Sequence, residues 1–267
     1  MKIAVVGAGI NGLTCAVKIK EKYRDFEVVI ISNEFTPNTT GDGSGGLWYP
    51  YLTGDTPYNL LDAGQTFTTF ISSPPKLLAY LQERFEKANG KLLRAKITSL
   101  EDPLLQEYDV VINCTGVQAR FIVPDDKVTP YRGQIVKVKA PWVNHVIIDE
   151  DGGNYIIPNA STVVLGGTHQ HEFNTQIDPK DTDFILNGCQ SILPGLKNAE
   201  IVNIWVGLRP GRNAIRLEPE ERNGKLYIHN YGHGGGGLTL FWGCGKAVLQ
   251  ILETHLNKRK CNVKSKL

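Results

Sequence analysis

The chain has 267 residues, 41% hydrophobic and 21% charged, a composition typical of a folded protein with a substantial core. Its 29 Lys and Arg against 27 Asp and Glu leave a net charge of +2, too balanced for a surface that binds nucleic-acid phosphates. No apolar run approaches the roughly 20 residues that span a bilayer. We therefore expect neither nucleic acid nor a membrane as a partner.

The cysteines and the amino terminus indicate where the protein works. The five cysteines are widely spaced and none forms a CxxC pair, which argues against a disulfide framework and against a zinc site. The chain opens directly into an apolar run, without the charged region and cleavage site of a secretory signal. These features predict a reducing, intracellular location and no metal.

The first 32 residues predict a strand, a glycine-rich turn, a helix and a second strand. Residues 2–7 form a β-branched run, the sequence GAGING follows, and apolar residues at helical spacing continue over residues 13–22. The run Glu27–Ser32 predicts a second buried strand. In this context Gly7 allows a tight turn, Gly9 lets the backbone approach a pyrophosphate, and Gly12 lets helix and strand pack closely. The segment therefore predicts dinucleotide binding, with the helix N-terminus facing the phosphates.

An acidic residue about 20 positions after the glycines is expected to meet the ribose hydroxyls of the nucleotide. The second strand ends in Ser32, Asn33 and Glu34 rather than in a terminal Asp or Glu. Asn33 and Glu34 are the candidates for this contact, and both equally fit solvent-facing loop positions.

Two later segments add to this nucleotide-binding pattern. Residues 109–116 form an apolar strand that ends in a small, polar turn. Residues 226–239 predict a strand that runs into four consecutive glycines, and a helix is predicted over residues 242–256. Glycines at this density indicate close backbone approach, usually around a ligand, whereas a merely flexible loop would not be flanked by a strand and a helix.

Nine short motifs, in order, carry a family resemblance. GAGING, FTPNTT, GLW, VINCTG, RGQIVKV, APW, YIIP, GLRP and HNYGHGGGG resemble the D-amino-acid oxidase family over most of the chain. The sequence GGTHQ (residues 166–170) and the short connection before Tyr155 are similar to the branch that oxidises D-aspartate.

The resemblance implies an α/β fold in which a doubly wound, Rossmann-like FAD-binding domain is interleaved with an α+β substrate domain built on a mostly antiparallel sheet. We expect the FAD domain to comprise residues 1–56, 76–130 and 222–267. Residues 57–75 and 131–221 are then the truncated substrate domain.

The resemblance also implies an enzyme that uses FAD and molecular oxygen. FAD takes a hydride from the α-carbon of a D-amino acid, and a 2-oxo acid, ammonia and hydrogen peroxide result. The last three residues, Ser265, Lys266 and Leu267, match the signal read by the peroxisomal import receptor. A location in the peroxisome matrix suits an enzyme that produces peroxide.

Three residues are implied to hold the reacting amino acid. Arg209 would clamp the substrate α-carboxylate with two parallel hydrogen bonds, and Tyr155 would donate to the same group. Gly235 would accept from the substrate amine through its carbonyl. No side chain need act as a general base, because hydride transfer from a neutral amine requires orientation.

The motifs and the resemblance together predict the FAD contacts. These are Gly7, Gly9, Ile10, Asn11, Gly12, Asn33, Glu34, Thr39, Thr40, Leu47, Thr115, Gly234, Gly235, Gly236, Gly237, Leu238 and Thr239. His229 and His233 are expected to shape the flavin loop, and Arg212 and Arg216 to be structural.

Two features depart from the family pattern. His169 stands where the aspartate-oxidising branch has an arginine for the substrate side-chain carboxylate, so selectivity for acidic substrates is expected to be weaker, pH-dependent or supplied by another group. Between Pro57 and Gln65 the chain joins directly what the family separates by several dozen residues. The loss is expected to expose a sheet edge. Compact reclosure, a new interface such as a homodimer, and a catalytically dead variant are the alternatives.

Three functions remain open at this point. The first is an oxidase of acidic D-amino acids, D-aspartate and possibly D-glutamate. The second is an oxidase of neutral D-amino acids, made plausible by His169. The third is a catalytically impaired flavoprotein whose shortened substrate domain cannot hold an amino acid.

Overall fold

The computed structural model describes residues 1–48 and 68–264, which form two sheets. The first sheet contains β1 (Lys2–Val6), β2 (Glu27–Ser32), β3 (Lys91–Arg94), β4 (Val110–Asn113), β10 (Arg216–Arg222) and β11 (Lys225–Tyr231). Its order is β10-β11-β4-β1-β2-β3, and every pair is parallel except β10 with β11. The predicted doubly wound architecture is confirmed.

The central strands of this sheet are apolar on both faces, so both faces must be covered. Helices cover one of them. They are α1 (Ile10–Lys22), α2 (Pro74–Lys87) and α5 (Gly237–Lys264). Alternate residues of β1 separate the two cores: Ile3 and Val5 pack towards the helices, whereas Ala4 and Val6 pack under the loops and the short helix α3 (Ala119–Ile122). The buried sheet thus presents the carboxyl ends of its parallel strands at a single edge.

The second sheet is antiparallel throughout, as expected for the substrate domain. It contains β5 (Thr129–Lys139), β6 (Ile147–Asp149), β7 (Asn154–Pro158), β8 (Val163–Gly166) and β9 (Glu200–Gly211), in the order β6-β7-β8-β5-β9. Helix α4 (Pro179–Ile192) packs on one face, around Val136 and Leu165. The opposite face carries Ile135, Ile157 and Trp205, against which Leu47 of the first domain packs.

Three features differ from the sequence-based expectations. Strand β10 lies within residues 131–221 but belongs to the six-stranded sheet, as a polar edge strand that tolerates Pro219. Helix α5 extends beyond the predicted residues 242–256 at both ends. The prediction missed the first turn because it contains Gly237, a weak helix former, and it missed the last turns because they are polar. Helix α1 likewise starts three residues early, at Ile10. The exact domain boundaries stay predictions.

One edge of the second sheet is exposed. Within the described residues β9 pairs with β5 alone, and Ile201 and Val202 near its start are about half exposed. This agrees with an edge left open by a missing segment, although the predicted junction at Pro57–Gln65 itself lies outside the described residues. No helix in the described part of the chain has the length and apolar character needed to cross a bilayer.

Candidate functional site

The predicted FAD contacts converge on one edge of the six-stranded sheet. The GAGING turn follows β1, Asn33 and Glu34 follow β2, Thr115 follows β4, and the four glycines follow β11. These four strands are parallel, so the segments after them all leave the sheet at its carboxyl edge. Ligands of open α/β sheets bind at this edge, where strand order reverses on either side of the first strand.

Close backbone packing shapes the first glycine turn. Gly7 has φ +106°, and a Cβ added to it would lie 2.5 Å from the Cys114 carbonyl oxygen. A Cβ on Gly12 would lie 1.9 Å from the Gly7 carbonyl oxygen. No other residue fits either position, as the sequence predicts.

Gly9 differs from its two neighbours. An added Cβ would meet nothing within 4 Å, and the backbone is extended (φ −73°, ψ −175°), a conformation open to any residue. No side chain caps α1, which begins at the next residue. Nothing in the protein itself therefore explains a glycine here, whereas a ligand phosphate at the helix N-terminus would.

Two buried polar atoms mark the space beside this turn. Asn11 Nδ2 lies 3.3 Å from His233 Nδ1, which joins the two glycine turns. Asn11 Oδ1 and His233 Nε2 are buried without a hydrogen-bond partner among the described residues. Burial lowers the pKa of His233 to about 4, so its ring is neutral at neutral pH. Unpaired buried polar atoms are costly, and a polar ligand would satisfy them.

The second glycine turn connects the two domains. Gly232 and Gly234 have φ +86° and +54°, which favour glycine. The Gly234 N–H donates to the carbonyl of Pro210, the residue after Arg209, at 2.8 Å. Gly235 therefore lies beside the strand that carries Arg209. Leu238 and Thr239 lie in the first turn of α5, and a Cβ on Gly237 would lie 3.9 Å from Ile10.

A buried hydrogen-bond chain fixes Thr115. His229 Nε2 lies 2.9 Å from Glu220 Oε2, and since a carboxylate only accepts, this nitrogen carries the proton. His229 Nδ1 then accepts from Asn113 Nδ2, and Asn113 Oδ1 accepts from the hydroxyl and the N–H of Thr115. Burial lowers the pKa of His229, which keeps the ring neutral. His229 thus holds the turn that contains Thr115, and its expected role in the flavin loop stays a prediction.

The remaining predicted FAD contacts lie between β2 and the second sheet. Asn33 and Glu34 are exposed, and Arg94 donates to the Asn33 carbonyl and lies 3.9 Å from the Glu34 carboxylate. The Thr39 N–H and hydroxyl both donate to Asp42 Oδ2, and Thr40 is exposed. All of these contacts are made to other residues of the protein. The role of each residue towards FAD therefore stays a prediction.

Arg209 projects from β9 across the neighbouring strand. A Cβ on Gly133 of β5 would lie 2.2 Å from Arg209 Nη1, so the guanidinium lies over this glycine. Nη1 also donates to the Thr168 carbonyl at 3.0 Å. By contrast Arg212 and Arg216 are held in ion pairs with Asp125 and with Glu218 and Glu220, which confirms their structural role.

Tyr155 reaches the same segment from the other side. It pairs with Gly166 across β7 and β8, and a Cβ on Gly166 would lie 2.0 Å from its ring. Its hydroxyl lies 2.8 Å from the position that a Cβ on Gly167 would take. Residues 166–168 therefore bring the Tyr155 hydroxyl and the Arg209 guanidinium together.

Strand register places His169 beside Arg209. Arg132 and Gln170 exchange both backbone hydrogen bonds, at 2.7 and 3.0 Å, so Gly133 and His169 stand opposite each other. The rings of the next pair along, Tyr131 and His171, touch with centroids 4.5 Å apart. Because the guanidinium covers Gly133, the exposed His169 lies one strand away from it.

Comparison with known proteins agrees with this geometry. A family model described as "FAD dependent oxidoreductase" (DAO) matches residues 62–251. The chain is 35% identical to a D-amino acid oxidase of Dugesia ryukyuensis, over 97% of this chain and 100% of that protein. It is 33% identical to the human D-aspartate oxidase, over 94% of each. The chain belongs to the D-amino-acid oxidase family.

Solved structures support the fold. A glycine oxidase from Geobacillus kaustophilus superposes with a TM-score of 0.80 at 16% identity, over 94% of both chains. A glycerol-3-phosphate dehydrogenase from Bacillus halodurans, complexed with FAD, superposes with a TM-score of 0.71 at 16% identity, over 96% of this chain and 65% of that one. The cofactor of the present oxidoreductase is FAD.

The alignments also bear on the shortened segment. The alignment with the Dugesia ryukyuensis oxidase extends over 333 positions, whereas the present chain has 267 residues. The difference between these two lengths is 66, so at least 66 positions of the alignment face gaps in this chain. A D-amino acid oxidase and a D-aspartate oxidase match at similar identity, so identity does not settle which D-amino acids this chain prefers.

The residues at the carboxyl edge fit FAD. The open space at Gly9 and the uncapped start of α1 suit a pyrophosphate, and the unsatisfied atoms of Asn11 and His233 suit a polar ligand. Within residues 1–48 and 68–264, no three His, Cys, Asp or Glu side chains are grouped closely enough to hold a metal ion.

Several residues that hold the site were not predicted. Asp42, Asn113, Lys137, Asn159 and Trp205 contact turns that are predicted to bind FAD. Asn113 and Lys137 lie within the quoted motifs VINCTG and RGQIVKV, but neither was assigned a role.

Gly9→Ala separates FAD binding from folding. The added methyl group has room in the protein alone, so the midpoint of urea unfolding without FAD is expected to match the wild type. FAD affinity is expected to fall about tenfold or more, because the methyl group takes the space that the pyrophosphate needs. Gly243→Ala, also with nothing within 4 Å, is the matched control. Equal FAD affinity of both variants, measured by quenching of flavin fluorescence, would contradict this cofactor position.

Proposed function

We propose that the protein is an FAD-dependent oxidase that converts acidic D-amino acids, D-aspartate foremost, to 2-oxo acids with release of ammonia and hydrogen peroxide. The observation that carries this proposal is the meeting of Arg209 and Tyr155 at residues 166–168, beside the second glycine turn. A cationic fork and a hydroxyl directed to one place suit a carboxylate.

Arg209 and Tyr155 would bind the α-carboxylate together. A guanidinium carries five N–H donors in a rigid plane that matches a carboxylate, and Arg209 directs one of them to the Thr168 carbonyl. The backbone beneath the guanidinium is Gly133 of the neighbouring strand β5, whose missing side chain leaves the place that the guanidinium takes. Strands rather than loops carry both side chains, so their separation is fixed.

Gly235 would orient the amine. Its neighbour Gly234 is bonded to Pro210, which ties the turn to the strand that ends beyond Arg209. A carbonyl here that accepts from the substrate amine would turn the α-hydrogen towards the cofactor. When bound, FAD accepts the hydride from the α-carbon. The protein's contribution is thus orientation, which alone supplies a large share of the rate.

His169 would contact the side-chain carboxylate of an acidic substrate. It stands one strand from the Arg209 guanidinium, on the face of the sheet that carries this clamp. An imidazole donates a hydrogen bond in either protonation state and adds positive charge when protonated. A dicarboxylic substrate would then be held at both ends.

Anaerobic titration of the FAD-loaded protein tests this function. D-Aspartate is expected to bleach the visible flavin band and L-aspartate to leave it intact. Arg209→Leu is expected to keep the bound flavin but slow its reduction about 100-fold, because a charged two-pronged contact is lost. Reduction by D-alanine with higher efficiency than by D-aspartate would select the neutral oxidase. An intact band with both D-amino acids would refute oxidase activity.

His169→Arg tests the origin of acidic selectivity. An arginine carries a permanent charge and can donate two parallel hydrogen bonds to a carboxylate, whereas an imidazole offers that carboxylate a single hydrogen bond. We expect the variant to prefer D-aspartate over D-alanine, measured as the ratio of kcat/KM, about tenfold more strongly than the wild type does. Equal ratios in the two proteins would rule out this role.

We also propose that the protein works in the peroxisome matrix. The supporting feature is the terminal sequence Ser265, Lys266 and Leu267, which lies outside the described residues. A fluorescent fusion that keeps this free carboxyl terminus should colocalise with peroxisomes, and one without the three residues should not.

A further inference from the structure

The turn formed by residues 39–47, here the flavin-side turn, is held by polar groups of the other domain. Asn159, which follows β7, donates from Nδ2 to the Gly45 carbonyl at 2.9 Å. Lys137 of β5 donates from Nζ to the Asp42 carbonyl at 3.3 Å. Both acceptors are backbone atoms, so these bonds position the turn itself.

Apolar side chains of the same sheet press on two glycines of the turn. A Cβ on Gly43 would lie 2.0 Å from the ring of Trp205, and one on Gly45 would lie 2.7 Å from Cδ1 of Ile157. Leu47 packs against the buried cluster that contains Ile157 as well. The turn therefore lies at van der Waals distance on the sheet, with no space for movement towards it.

The residues that hold the turn alternate with the candidate substrate ligands on the same strands. Tyr155, Ile157 and Asn159 are two residues apart along β7 and its continuation, and Trp205 and Arg209 are four residues apart on β9. Side chains at such spacings share one face of a sheet. The face that these side chains share therefore contacts the flavin-side turn at one end of the strands. It carries Tyr155 and Arg209 at the other end.

We propose that Asn159, Lys137 and Trp205 are positioning residues that fix the flavin-side turn, and through it the flavin, at a set distance from the bound amino acid. The inference rests on the proposed role of Arg209 and Tyr155 and on the predicted contacts of Thr39, Thr40 and Leu47 with FAD. Four residues of a strand span about 13 Å. This length varies less with thermal motion than the distance between the ends of a loop does. Hydride transfer depends steeply on such a distance.

Asn159→Ala is the decisive variant, and Asn198→Ala, at an exposed position, is its control. Loss of the bond to Gly45 is expected to weaken FAD binding about fivefold and to shift the visible band of the bound flavin. Flavin reduction by D-aspartate in stopped flow is expected to slow about tenfold. The Kd for 2-methyl-D-aspartate, which has no α-hydrogen to transfer, is expected to stay unchanged, because its ligands are intact.

Lys137→Met keeps a flexible chain of similar length and removes the charged donor to the Asp42 carbonyl, so it tests the same role if Asn159→Ala fails to fold. Equal FAD affinity, spectrum and reduction rate in Asn159→Ala and the control would overturn the proposal. So would equal losses of FAD and analogue binding, which indicate general loosening of the fold. If no D-amino acid reduces even the wild type, the proposed function fails, whereas FAD affinity and spectrum still decide the positioning role.

Discussion

The pairing of β5 with β8 and β9 is the constraint on which the site depends. With the pairing of β7 and β8 and the bridge between Arg132 and Gln170, it sets Arg209 over Gly133, Gly166 under Tyr155, and His169 opposite Gly133. A slip of one residue would turn Arg209 to the face that packs on α4 and remove the carboxylate clamp altogether. The glycines at 133 and 166 are therefore part of the site, because they give the guanidinium and the phenol ring their places.

The two domains supply different halves of the chemistry and meet at few, specific points. The six-stranded sheet offers strand ends, helix N-termini and glycine turns, which suit phosphates. The five-stranded sheet offers a flat face with a cation and a hydroxyl, which suits a carboxylate. Gly234 with Pro210, and Asn159 with Gly45, join the halves through backbone atoms. An amino acid at the clamp therefore has a defined position relative to the cofactor, even in a chain shorter than its relatives.

Local patterns in the sequence predicted the local parts of the structure. Gly7 has the positive φ of the predicted tight turn, Gly12 packs closely as predicted, and β2 has the predicted limits. The place of β10 at the edge of the six-stranded sheet was not predicted, because its polar residues lack the alternation of a buried strand. Asn159, Lys137 and Trp205 went unnoticed for another reason: each contacts a turn about 95 to 160 residues away, and a single sequence carries no signal for such pairs.

The central claim is that one face of the five-stranded sheet holds both the substrate carboxylate and the flavin-side turn. A crystal structure of the FAD complex with 2-methyl-D-aspartate tests it most directly. The account predicts that the α-carboxylate oxygens lie about 2.7–3.0 Å from Arg209 and Tyr155 donors, with the flavin between the second glycine turn and residues 39–47. A carboxylate bound away from Arg209, or a flavin that does not touch residues 39–47, would contradict it.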